Sequence, residues 1–147
     1  MSMVDITAKP EVRREATAKG QIRLRKETVA LIRQGKIEKG DPFQVAKVAG
    51  ILAAKQTSSL VPLCHPIPLT NVKVDLRIVG DDTIEVESTV KTKAQTGVEM
   101  EALTATAVAL LTVWDMTKQY EKDAKGQYPY TVIQDIRVTS KLKEQQR

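Results

Sequence analysis

The chain predicts an α+β fold in two layers, an antiparallel sheet with helices packed on one of its faces. Three observations carry this reading. Two neighbouring segments alternate apolar and polar residues with period two around Gly80-Asp81-Asp82, the pattern of an antiparallel hairpin. Two longer segments open with helix-start signals, Asp41-Pro42 and Thr96-Gly97-Val98-Glu99. Long helices thus alternate with antiparallel strand signals, which favours an α+β sandwich.

Taken in order, residues 1–19 lack clear periodicity and read as a basic N-terminal arm. Gln21 to Lys26 alternates, with Ile22 and Leu24 on one side, and predicts a short strand. Thr28 to Gln34 predicts a short helix stopped by Gly35. Asp41 is an expected N-cap, with Pro42 at the first helical position and Gln44 three residues after the cap. The helix is expected to reach about Thr57, with Val45, Val48, Ala49 and Leu52 as its buried stripe. Ala46, Gly50 and Ala53 form a second line, small enough for another backbone to approach. Val72 to Ile78 and Ile84 to Val90 are the hairpin strands. Thr96 to Glu99 has the form of a capping box and opens a helix to about Tyr120. Its interior from Ala102 to Trp114 carries no charge, so it should be buried on more than one side. Gly126 and Pro129 interrupt the chain, and Val132 to Val138 is the last strand. With the first two helices taken together, the order β-α-β-β-α-β is that of ferredoxin-like folds.

Bulk properties bound the function. A chain of 147 residues suits one domain spanning 1–147, with 142–147 as a flexible tail. Hydrophobic residues make up 41% and charged residues 28%, the balance of a soluble globular protein. No signal-peptide pattern opens the chain, and Ala102 to Trp114 is too short to span a bilayer. A single Cys allows no internal disulfide, which suits a cytoplasmic protein. Residues 1–40 hold ten Lys/Arg against five Asp/Glu, while the rest holds thirteen of each. The net charge of +5 therefore sits in the first quarter and favours an anionic partner. Aromatic content is only 3%, so no base-stacking platform is evident.

Leu60-Val61-Pro62-Leu63-Cys64-His65-Pro66-Ile67-Pro68 holds the only Cys, the only His and three of the six prolines. Pro66 biases His65 towards an extended backbone, and Pro62 and Pro68 fix their own φ. A stiff strap results, expected to pack down through Leu60, Val61, Leu63, Ile67 and Leu69. Lone His and Cys residues are more often structural. One of each, without CxxC or HxxxH spacing, offers no metal site. Cys64 and His65 point to opposite sides of an extended segment, so they are not expected to act as a nucleophile pair.

The Gly97-Val98-Glu99-Met100-Glu101 stretch carries the second chemical signal. Glu99 has a structural reading as the capping-box acid, whereas Glu101 has none. Asp115 lies about 40° around an ideal helix from Glu101. Asp115 and Lys118 are three residues apart, placed either for a weak helix ion pair or for an acid/base carboxylate beside a cation.

Together these segments resemble the MoaC family, the cyclic pyranopterin monophosphate synthases of molybdenum cofactor biosynthesis. The resemblance rests on Lys39-Gly40-Asp41, Ala49-Gly50-Ile51-Leu52-Ala53-Ala54-Lys55, Leu63-Cys64-His65-Pro66, Thr96 to Thr104 and Asp115-Met116-Thr117-Lys118, with Met3-Val4-Asp5 and Arg14 fitting the opening. It covers roughly residues 3–141. It implies a lyase that converts (8S)-3',8-cyclo-7,8-dihydroguanosine 5'-triphosphate to cyclic pyranopterin monophosphate and releases pyrophosphate. The substrate would come from the radical S-adenosylmethionine enzyme MoaA, and no cofactor would be needed. The family's catalytic aspartate falls on Asp115, its essential lysines on Lys39 and Lys118, and its substrate contacts on Leu63, Cys64, His65, Met100 and Glu101. His65 and Glu101 join Asp115 and Lys118 as proton donors and acceptors, and Arg14, Lys39, Asp5 and Lys141 complete the expected substrate contacts. The resemblance also implies a ferredoxin-like fold and a hexamer built from dimers. The chain departs from the family after Lys141, where Leu142-Lys143-Glu144-Gln145-Gln146-Arg147 replaces the usual Gly-Gly-Lys-Ser-Gly, and Asp123 to Tyr130 is longer than usual.

Two other readings are weighed. A small basic RNA-binding protein would place aromatics on the central strands, and Val72 to Val90 has none. An inactive relative would lose Lys39, Asp115 or Lys118, and all three are present. Glu101 and Asp115 lie fourteen residues apart, about 21 Å along a helix, too far to meet on the same reacting atoms. A shared site is therefore expected, Glu101 of one chain meeting Asp115 and Lys118 of another across a two-fold axis.

Overall fold

The computed structural model describes residues 1–144. Its first strand, β1 (Val12–Arg23), corrects the expected arm. Val12, Arg14, Ala16, Ala18, Gly20 and Ile22 all face inward, with period two. Three of these, Ala16, Ala18 and Gly20, are small because a helix lies directly over them. A Cβ added to Gly20 would come within 2.8 Å of Leu110 Cδ1.

Helix α1 (Lys26–Arg33) ends before Gly35, whose positive φ of 67° reverses the chain. Helix α2 (Pro42–Lys55) is capped as expected, the Asp41 side chain accepting from the Phe43 amide. It ends before Thr57, which instead begins a separate turn, α3 (Thr57–Leu60). The buried face of α2 is the reverse of the one expected. Ala46, Gly50, Ala53 and Ala54 are buried, whereas Val45, Val48 and Leu52 are 45%, 58% and 51% exposed. Approach distance decides this. A Cβ at Gly50 would meet Val74 Cγ2 at 3.0 Å and the Ala105 carbonyl at 3.1 Å, so only the small-residue line fits.

Strands β2 (Leu69–Val79) and β3 (Thr83–Ala94) form the predicted hairpin, with Gly80 at φ 67° in the turn. Helix α4 (Glu99–Glu121) crosses the sheet, and β4 (Val132–Lys143) closes it. β4 runs past the expected end at Val138, so residues 142–144 are not a loose tail: the Glu144 amide donates to Arg13 O. The remaining residues, 145–147, lie outside the described part. Sheet order is β2-β3-β1-β4, antiparallel throughout, the ferredoxin-like arrangement.

One core fills the space between sheet and helices. Ile22, Ile84, Val86 and Val90 meet Ala102, Ala105, Ala109, Leu110 and Val113 of α4. Each fully buried branched side chain there contributes about 1.5–3 kcal/mol relative to exposure. A buried carboxylate, Glu121, closes the far end of the core. It accepts from the Arg25 amide and from the hydroxyls of Thr28 and Thr131. With its oxygens partnered, Glu121 is structural. No helix is long and apolar enough to cross a membrane among the described residues.

Candidate active site

The chemistry-bearing side chains gather at the two ends of α4. At its C-terminal end Asp115 Oδ1 lies 3.1 Å from Lys118 Nζ, and Asp115 Oδ2 lies 3.3 Å from Lys39 Nζ. Lys39 also donates to the Asp115 carbonyl at 3.0 Å. Lys39 arrives on the loop between α1 and α2, which folds locally for three reasons. Ile37 is buried, Gly40 takes a φ of 119°, and the Glu38 amide is held by the Tyr120 hydroxyl at 2.8 Å. Gln119 adds a hydrogen bond to Glu38 Oε2. The hydrogen bonds from Lys118 and then Lys39 hold the Asp115 carboxyl below its ordinary value. The weak helix ion pair expected from the i, i+3 spacing is thus part of a three-residue cluster.

At the N-terminal end the environment is the opposite. Glu101 is 3% exposed, and its Oε1 has no hydrogen-bond partner among the described residues. Its Oε2 receives only a long contact from Cys64 Sγ at 3.9 Å. Burial, with help from neighbouring Glu99, pushes the Glu101 carboxyl up. Burial, followed by the charge of Glu101, likewise raises the Cys64 thiol, which argues against a thiolate nucleophile.

Cys64 and His65 do not pair, as expected. His65 Nε2 donates to Val4 O at 2.7 Å, which makes Nδ1 the acceptor of the neutral ring. The strap packs down only through its second half: Ile67 and Leu69 lie against the core, while Leu60 and Leu63 remain exposed. Asp5 stands near His65 and folds back on Thr7, whose hydroxyl and amide hold its carboxyl low. A hollow of about 320 Å³ lies between the strap and the start of α4, lined by Leu63, Cys64, His65, Glu99 and Met100 among others.

Two residues depart from their expected roles. No side chain caps α4, so Thr96 and Glu99 form no capping box. Glu99 instead pairs with Lys141 through Oε1. Burial alone would raise Glu99, but Lys141, joined by Arg14, carries it below its ordinary value. Arg14 is buried, and its guanidinium donates to the carbonyls of Ala94 and Gln95 at 3.1 and 3.3 Å. Its fork is therefore largely engaged with backbone. The sequence does not signal the Glu99–Lys141 pair, because the capping-box spacing offers Glu99 a complete local explanation. Among the described residues no three His, Cys, Asp or Glu side chains converge to hold a metal ion.

The fold and these clusters define a small α+β protein with carboxylates and lysines gathered at the two ends of one helix. Residues 3–143 match the MoaC family, and the chain belongs to it. It is 59% identical over 141 residues to the probable cyclic pyranopterin monophosphate synthase of Sulfurisphaera tokodaii, covering 96% of this chain and 93% of that one. Its identity to the protein of the same description from Pyrococcus furiosus is 55%, covering 99% and 92%. For that of Sulfolobus acidocaldarius it is 57%, covering 96% and 98%.

Proposed function

We propose that this chain is a cyclic pyranopterin monophosphate synthase of molybdenum cofactor biosynthesis, working at a site shared between two copies. Membership of the MoaC family and near-full-length relatives carry the activity. The substrate is the cyclic dihydroguanosine triphosphate delivered by a radical enzyme of the MoaA type, and pyrophosphate leaves.

The observation that supports the shared site is the opposed state of two carboxylates on one helix. Asp115 is ionised between two ammonium groups and suits a proton acceptor, while Glu101 is buried, raised and unpartnered on one oxygen, and suits a donor. They stand fourteen residues apart on α4, about 21 Å along its axis. A two-fold axis beside α4 would bring Glu101, Cys64 and His65 of one copy to Lys39, Asp115 and Lys118 of another. The lysines would stabilise charge on the phosphates as pyrophosphate departs. The exposed apolar faces of α2 and of the strap give such an assembly surface to bury. We extend the proposal to the hexamer built from three dimers that the family resemblance implies.

The test mixes inactive Glu101→Ala and Asp115→Ala proteins after partial unfolding and reassembly. A mixed dimer carries one doubly damaged and one intact site, so pyrophosphate release from the cyclic triphosphate should return. Verified exchange without activity would place the site within a single chain.

A further inference from the structure

The outer face of the sheet, turned away from α4, is mostly polar, but its charges are unevenly placed. Arg13 on β1 stands directly opposite Lys93 on β3, and Lys91 follows on the same face. Like charges directly opposed across strands work against the sheet. Little offsets them here. Arg13 meets Glu144 at 3.7 Å with both side chains exposed, and Glu15 stands opposite Lys91. Among the described residues Lys91, Lys93 and Lys143 enter no ion pair.

These cations line a hollow of about 650 Å³, whose wall also includes Thr70, Leu142 and the two carboxylates Glu15 and Glu144, so that cations outnumber carboxylates there. The hollow exists because β2 slips register against β3 between Leu69 and Asn71, leaving Thr70 out of the ladder. Its size suits a nucleotide rather than a single small ion. Leu142 is 58% exposed and shares a face with Glu15, which sets an apolar surface beside the positive charge.

We propose that this hollow is a second ligand site, on the opposite face of the sheet from the candidate active site, and that it takes a nucleoside triphosphate. Arg13 offers a forked donor to the phosphates, and Lys91 and Lys93 act as point charges. Leu142 supports the base and ribose. A nucleic acid strand is the poorer fit, because none of the four strands carries an aromatic residue on which bases could stack. Arg14 is the one residue that both the hollow and the candidate active site include. The proposal does not rest on the catalytic reading of Asp115 and Glu101.

The experiment is calorimetric titration of the full-length protein with ATP and with pyrophosphate. A Lys39→Ala/Lys118→Ala background removes phosphate contacts at the candidate active site. In that background ATP should bind saturably at one per chain, more tightly than pyrophosphate. Adding Lys91→Ala and Lys93→Ala should weaken ATP at least tenfold. The same two substitutions in the otherwise unaltered enzyme should leave turnover unchanged and should not lower the melting temperature, since both side chains are exposed and Lys93 opposes Arg13. If the alanine pair fails to fold, Lys91→Gln/Lys93→Gln makes the same comparison. Unchanged ATP affinity on removing Lys91 and Lys93 would overturn the site. Pyrophosphate binding as tightly as ATP, or binding confined to oligonucleotides, would overturn the nucleotide assignment.

Discussion

The two ends of α4 carry the same functional group in opposite states. Asp115 lies in solvent between two lysines and is held ionised. Glu101 lies under the strap with one oxygen unpartnered and is pushed towards its neutral form. Neither state follows from residue type. Both follow from what the fold sets beside the carboxyl, cations at one end and apolar walls with a second carboxylate at the other. One helix thus holds one carboxyl ionised at one end and pushes another towards its neutral form at the other.

The largest expected effect breaks the ionised end. Asp115→Asn keeps shape and loses charge, and kcat should fall about 10²–10⁴-fold, the usual range for a positioned acid/base group. The melting temperature should barely move, because Asp115 is exposed. A comparable fall in stability would recast the cluster as structural.

Glu101→Gln breaks the buried end. Turnover should fall by about 10²-fold or more if Glu101 donates a proton. Stability should respond in the other direction. In the unfolded chain Glu101 ionises at its ordinary value, while in the folded chain it ionises at higher pH. Between those two pH values the folded state keeps the proton, so native stability declines as pH rises through that window. Gln has no proton to lose. The variant's stability advantage, read by denaturant unfolding at several pH values, should therefore be absent in acid and grow upward from the ordinary carboxylate range. A pH-independent difference would remove the argument for a raised Glu101.

The pH profile of kcat/KM sharpens the contrast without mutation. Activity should be lost on the alkaline side as Glu101 deprotonates above its ordinary range, and on the acid side only below the ordinary aspartate range, where Asp115 gains its proton. The smallest effect belongs to the Glu99–Lys141 pair. Its lysine is well exposed, so Glu99→Gln should change stability by less than about 1 kcal/mol.

Local patterns were legible and distant pairings were not. The hairpin could be read because its inward residues are branched and apolar. Only the end of β1 could, from Gln21 to Arg23, because before it Ala16, Ala18 and Gly20 carry almost no hydrophobic signal, although they lie under the crossing helix. In α2 residue size misled: Val45, Val48 and Leu52 suggest the core face, yet the close approach of α4 and β2 admits only Ala46, Gly50 and Ala53. At the site, the Asp115–Lys118 spacing and a lone Glu101 at the edge of an uncharged run were visible in the chain. The joining of Glu99 to Lys141, of His65 to the Val4 carbonyl and of Arg14 to Ala94 and Gln95 was not, because each spans distant positions with no shared period.

The pairing of β4 with β1 shifts twice, between Lys19 and Gln21 and between Thr17 and Ala18. Each shift lodges one surplus residue in β4 and turns the following side chains over to the other face. Two such turns cancel, so Lys141 regains the helix side, opposite Ala16, where an unshifted strand counted from Ile133 would have set Thr139. The strand thus behaves as a two-step parity counter with Lys141 as its readout. Deleting one surplus residue, at Asp135 or at Thr139, should abolish that shift and leave Lys141 opposite Ala16. Deleting both should give an unshifted ladder with Lys141 still opposite Ala16, whereas closing both shifts with every residue kept would set Thr139 there and carry Lys141 past the end of α4 that it now serves.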